Sequence, residues 1–229
     1  MSKNSPSGGI RNESSLHRTL KFHYSGSDGE AEIPAGSYIC DGRTSKGELI
    51  EIQCGSFGPL KEKVEDLSRK NKIRVIHPII AQKYIELYDT GGRLLRRRKS
   101  PRKGSAWDLF KSLLYAPLLP LLKNLTIELA IIESVEKRTD DGKGSWRRGG
   151  VSIEDRFLDT IRASVVLKKP KDYYQFIPFK KPALFTARQM AEKAGIPPAV
   201  ARKALYVLEK MGLAERAGKQ GNAVTYRRV

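Results

Sequence analysis

Cysteine is scarce in this chain: Cys40 and Cys54 are the only two in 229 residues. Both sit in apolar, strand-like runs, and neither belongs to a metal-ligand spacing. A disulfide framework and a cysteine zinc site are therefore excluded, and reduced, buried thiols are expected. Long hydrophobic runs are missing too. The longest apolar segment, 113–122, is interrupted by Pro117 and Pro120 and falls short of the about 20 residues that span a bilayer. The opening residues, MSKNSPSGGIRN, have no apolar signal-peptide core. No lipidation signal or basic amphipathic anchor stands out. A cytoplasmic protein without a membrane partner is expected. Acidic residues are few, with 25 Asp and Glu against 43 Lys and Arg, a formal net charge of +18. That excess points to a polyanion, nucleic acid first. The hydrophobic fraction of 39% supports a real core, and the length suits one large domain or two small ones.

The most informative stretch is 38–70, YICDGRTSKGELIEIQCGSFGPLKEKVEDLSRK. It reads as strand, turn, strand, helix. Tyr38-Ile39-Cys40 is an apolar run ending on Asp41. Residues 49–54 alternate, with Glu51 and Gln53 on one face against Ile50 and Ile52 on the other. If Asp41 ends the neighbouring strand, its carboxylate meets that of Glu51, and two such groups usually persist side by side with a cation between them. Before this stretch, helical spacing starts near Asn12 or Glu13, with Leu16 and Leu20 one turn apart and Glu13, His17, Leu20 and Tyr24 on one side. A turn is expected at 26–29 and a short strand at 30–33. After it, Leu60, Val64 and Leu67 form a helical stripe, and KIRVIHP (72–78) reads as the next strand.

This pattern resembles the PD-(D/E)XK nuclease superfamily, whose core runs helix, three strands, helix, strand. The resemblance implies an α+β, restriction-endonuclease-like αβββαβ domain over 12–170, after a disordered tail at 1–11. It implies metal-dependent hydrolysis of phosphodiesters, with Mg²⁺ or Mn²⁺ held by Asp41 and Glu51 and with Glu13 as a further ligand. Gln53 stands where the family usually has the Lys that orients the attacking water. A Lys on the following helix, Lys63 or Lys61, can replace it, so the catalytic set implied is Asp41, Glu51, Gln53 and Lys63.

Farther on, 84–100 reads as a hairpin turning at Thr90-Gly91-Gly92, with the basic run Arg96 to Lys99 able to grip phosphate. Trp107–Leu114 and 118–122 read as short helices, 126–135 as a long strand and 156–167 as a helix. Residues 171–181 read as a linker. The C-terminal stretch, 182–229, carries helix signals. Thr186 and Gln189 form a capping box and Gly195 a stop; Pro197 and Pro198 open a second helix, which Gly212 ends. A hairpin turning through 218–222 closes the chain. This unit resembles a winged helix-turn-helix, an arrangement that sets its second helix in the major groove. Arg202 and Lys203 on that helix, and Lys219, Arg227 and Arg228 on the wing, are the implied nucleic-acid contacts. The whole reads as a DNA-binding protein with a nuclease domain delivered to double-stranded DNA by the winged helix; a homodimer is left open. The alternative is a nuclease-like scaffold that binds DNA or regulates without cutting.

Overall fold

A computed structural model describes residues 13–26 and 30–229. The tail expected over 1–11 and residues 27–29 of the expected turn lie outside the described residues. Helix α1 (Ser15–Ser25) begins where Ser14 caps it, its hydroxyl accepting from the His17 N–H at 3.3 Å, and it ends at Gly26 with φ of 80°. Leu16 and Leu20, one turn apart, are buried against Ile50, Ile52 and Ile76. Each such burial contributes about 1.5–3 kcal/mol.

Three strands come next, β1 (Glu30–Ala35), β2 (Tyr38–Arg43) and β3 (Leu49–Ile52), then α2 (Lys61–Leu67) and β4 (Ile73–Tyr88). The expected order of helix, three strands, helix, strand is present. Strands β1, β2 and β3 pair antiparallel in turn, and β3 pairs parallel to β4 through the α2 crossover. Val64 and Leu67 of α2 pack in one cluster with Leu49 and Val75, whereas α1 packs on Ile50 and Ile52. The two helices therefore cover opposite faces of the sheet, and strand alternation sends Glu51 with Leu49 toward α2.

Strand β4 does not stop at Pro78. It runs on to Tyr88, pairs parallel along β6 (Leu125–Thr139), and carries an irregularity between Ile80 and Gln82. Because β3 pairs with β4 only as far as Ile76, Pro78 lies just beyond that ladder, where its missing N–H is tolerated. Strand β5 (Leu94–Lys99) folds back on the end of β4 as the expected hairpin. The segment expected to be helical at 156–167 is instead strand β7 (Ser152–Leu167), antiparallel to β6. Phe157, Ile161 and Val165 have helical spacing, but Thr160, Ile161, Val165 and Val166 are β-branched and the long β6 edge offers a partner. Tertiary pairing overrides the period. The result is an α+β fold built on a seven-stranded mixed sheet, in the order β1-β2-β3-β4-β6-β7 with β5 on β4.

Between β5 and β6 the chain makes short helical turns, among them α3 (Leu109–Ser112), with Leu109, Phe110 and Leu113 fully buried. The connection expected to be a linker is packed rather than free. Tyr173, Phe176 and Ile177 are buried, and Phe176 meets Phe110 edge-on at 5.0 Å between centroids. Then come β8 (Leu184–Thr186), α4 (Ala187–Ala194), α5 (Pro198–Lys210), β9 (Ala214–Gln220) and β10 (Ala223–Arg228), with sheet order β8-β10-β9. The capping box forms: Gln189 N–H donates to the Thr186 hydroxyl at 3.2 Å and Thr186 N–H to the Gln189 carbonyl at 2.7 Å. Ala204, Leu205 and Leu208 of α5 share one core cluster with Leu109, Phe110 and Leu113. The final hairpin turns at Gly221-Asn222, so Lys219 lies within β9 and not in the loop expected at 218–222.

Candidate active site and nucleic-acid surface

Continuing the β2–β3 register one step beyond Gly42↔Ile50 brings Asp41 opposite Glu51. The ladder opens there, because the Ile52 N–H donates to the Asp41 carboxylate at 2.7 Å. Asp41 is then held from the α1 side. Its two oxygens lie 3.3 Å from Lys21 Nζ and 3.3 Å from His17 Nε2. Glu13 joins the same group, 2.8 Å from Lys21 Nζ and 3.4 Å from His17 Nε2. Glu13, His17 and Lys21 recur every four residues, so one stripe of α1 supplies all three. Only the Glu13 and His17 part of that stripe was singled out from the sequence. Lys21 was missed, although its i, i+4, i+8 position was legible.

Glu51 is held from the other face. It is 5% exposed, and Lys63 of α2 forms an ion pair with it while donating to the Ile39 carbonyl at 2.6 Å. Of the two lysines considered on the following helix, Lys63 is the one that meets the carboxylate. Lys61 instead pairs with Glu65 along its own helix at 3.9 Å. Gln53 does not join the cluster: its side-chain amide donates to the Ser56 backbone carbonyl and its backbone carbonyl accepts from His77 Nδ1, each at 2.5 Å. The role of orienting a water is thus not available to its side chain in this arrangement.

Electrostatics derive from these contacts. Burial pushes the Glu51 carboxyl up; Lys63 opposes this, and the Asp41 charge adds to it. Asp41 stays below the usual range despite burial, held there by His17, the Ile52 N–H and Lys21. Burial disfavours the His17 cation, but Asp41 and Cys54 outweigh that and raise it to about 9. Burial, with the Glu51 charge, pushes the Cys40 thiol up to about 12, as suits an inert buried cysteine. The expectation that both thiols are buried holds for Cys40 only, since Cys54 is exposed. Two carboxylates thus stand at one strand opening, each neutralised by its own helix. Among the described residues no trio of His, Cys, Asp and Glu is gathered as a metal set.

The implied nucleic-acid contacts divide in two. On α5, Arg202 is exposed and Lys203 half-buried; Tyr206, 42% exposed, lies one turn from Arg202. Lys219 is exposed on β9. Arg227 pairs with Glu215, and Arg228 stacks on Tyr174, 3.8 Å from the ring centroid. The last two are therefore already engaged within the protein. Strand β5 is exposed along its whole length. Its Arg97 and Lys99 lie over the Tyr84 ring at 4.8 and 5.7 Å. Among the described residues, no helix is long and apolar enough to cross a membrane.

Comparison with known proteins adds a relationship. A protein of Treponema pallidum (strain Nichols), described as an uncharacterized protein, is 28% identical over 219 residues, covering 94% of this chain and 85% of that one. That span reaches beyond the sheet domain into the C-terminal helices and hairpin. No solved structure matches. A family model matches residues 14–168, from the cap of α1 through the end of β7. On that match the chain belongs to the family described as Domain of unknown function (DUF8091).

Proposed function

We propose that this chain is a DNA-binding protein whose sheet domain is a metal-dependent phosphodiesterase of the PD-(D/E)XK kind, with residues 182–229 acting as a winged helix that delivers it to the duplex. One observation carries the reading: Lys63, from the helix after β3, reaches Glu51 where the β2–β3 ladder opens at Asp41. This sets two carboxylates on adjacent strands, near enough for the Asp41 charge to raise Glu51, with a lysine in place of the one that the motif lacks at Gln53. The strand order and crossover agree with the same core, and the β8-β10-β9 sheet with two helices agrees with a winged helix. The surplus of basic side chains supports a polyanionic partner.

The donor set suits a hard divalent cation in kind, since Asp41, Glu51 and Glu13 offer carboxylate oxygens. Bound there, Mg²⁺ or Mn²⁺ would supply a water of lowered pKa and charge neutralisation at the phosphate. The chain's own groups do the rest. Lys63 favours the ionised form of Glu51 against its burial. His17 and Lys21 do the same for Asp41 and yield one contact each when a stronger cation competes. On the winged helix, Arg202 and Lys219 offer charge to the DNA backbone.

A second reading, a DNA-binding scaffold that does not cut, draws on a different observation: both Asp41 oxygens accept from protein donors and the Gln53 amide is turned to Ser56. Supercoiled plasmid incubated with Mg²⁺ or Mn²⁺ separates the two. The nuclease reading expects nicking that is lost in Asp41→Asn and Glu51→Gln while the fold is kept. Duplex binding without any nicking selects the scaffold.

A further inference from the structure

A cavity of about 440 Å³ lies beside the carboxylate cluster. Cys54 joins the two, because it lines the cavity and also interacts with His17. The volume falls within the roughly 300–1,000 Å³ of small-molecule sites. Its lining has three distinct parts. One is apolar, made by Leu16, Pro78, Ile79 and Ile80. Another is charged, with Lys83, Arg102, Lys111 and Arg156 against Asp108 and Glu136. Glu136 is shared by Lys83 at 3.0 Å and Arg156 at 3.1 Å, and Lys111 pairs with Asp108. Arg102 has no side-chain partner among the described residues, so the lining carries a cationic surplus.

The third part is neutral and polar. The Gln53 carbonyl can only accept, so His77 Nδ1 carries its proton and Nε2 accepts from the Ser112 hydroxyl at 3.1 Å. Burial lowers the His77 pKa, so it stays the neutral acceptor. Ser112 Oγ thereby keeps its lone pairs for a ligand donor. Gly104 fixes the wall, since a Cβ there would stand 2.8 Å from the Ile80 carbonyl oxygen.

We propose that this cavity binds a phosphorylated nucleotide unit. The apolar part suits a base or sugar face, the cationic part a phosphate, and Ser112 a sugar hydroxyl or base N–H. Inorganic phosphate would use only the charged part and a nucleoside only the other two. The unit comes either from a free nucleotide or from the phosphorylated end of a strand. The inference goes beyond the phosphodiesterase reading and holds whether or not the protein cuts.

Cys54 supplies the assay. It is the exposed thiol, and Cys40 is buried, so iodoacetamide, a neutral reagent, alkylates the native full-length chain at Cys54 while Cys40 serves as an internal control by mass spectrometry. Adenosine monophosphate is expected to slow alkylation of Cys54 several-fold and saturably. Adenosine alone or inorganic phosphate alone should protect only at concentrations at least about tenfold higher. An oligonucleotide with a 5′-phosphate should protect better than its 5′-hydroxyl counterpart if the source is a strand end, and no better than the mononucleotide if it is a free nucleotide. Arg102→Ala should raise the half-protecting concentration about tenfold, measured against the variant's own unprotected rate, the scale of one charge-assisted hydrogen bond. Absence of protection by the mononucleotide, equal protection by inorganic phosphate, or indifference to Arg102→Ala would each overturn the proposal. Asp41→Asn should keep the protection whatever it does to nicking, so this inference and the phosphodiesterase reading fail separately.

Discussion

Glu136 offers the most quantitative test of how the sheet is held together. Its side chain is 2% exposed and bonds three cations: Lys83 from β4, Arg156 from β7, and Arg138 on its own strand. Burial alone would raise its carboxyl, but Arg138, Lys83 and Arg156 lower it to about 2, against an ordinary 4.5. A folded pKa below the unfolded one means stability that is present above pH 4.5 and is lost as pH falls toward 2. The full shift corresponds to about 3 kcal/mol at 1.36 kcal/mol per pKa unit. Arg156 is itself 45% exposed, so solvent screening reduces this to about 2 kcal/mol. Glu136→Gln keeps the volume and mimics the protonated acid. Urea unfolding followed by circular dichroism should therefore show wild type ahead by about 2 kcal/mol at pH 7. The gap should begin to narrow below about pH 4.5 and continue to close toward pH 2. A gap that stays constant from pH 7 to 3.5, or a variant more stable than wild type, would refute the reasoning.

The same geometry sets three further outcomes. Lys63→Met leaves a buried carboxylate without its partner and should cost about 3 kcal/mol at pH 8; adding Glu51→Gln should recover most of it, as a double-mutant cycle by urea unfolding would show. In a salt series with duplex DNA and the full chain, Arg202→Ala and Lys219→Ala should each flatten the log-affinity slope by about one. Arg227→Ala and Arg228→Ala should change it less, because Glu215 and Tyr174 already engage those side chains. Lys21→Met would free Glu13, Glu32 and Asp41 from their shared ammonium and should strengthen Mn²⁺ binding at least about tenfold, a gain of roughly 1.4 kcal/mol that is small beside the repulsion removed.

The elements from α1 to the start of β4 were legible in the sequence because each carries a local signal. Leu16 and Leu20 mark a helix face, Ile50 and Ile52 alternate with Glu51, and Val64 and Leu67 mark the crossover helix. The capping box at Thr186 and the stop at Gly195 served the C-terminal helices in the same way. Strand β7 was not legible: as an edge strand exposed over much of its length it lacks alternation, and its identity is set by β6, which is distant in sequence. The run of β4 past Pro78 depended on where β3 stops pairing. At the site, Asp41 and Glu51 were singled out by strand alternation and spacing, whereas Glu13 and the helix lysine, Lys63 or Lys61, came only with the family resemblance. The turning away of Gln53 and the arrival of His77 were not legible, because they depend on packing between elements; the helical spacing of Lys21 was legible, but its contact with Asp41 was not.

In the proposed reading, Asp41 and Glu51 serve one divalent cation at the opening between β2 and β3. Calorimetric titration of Mn²⁺ into the metal-free full-length protein tests it most directly. One saturable site is expected, lost in Asp41→Asn and in Glu51→Gln while both variants remain folded. No saturable binding, or binding that survives in both variants, would contradict it.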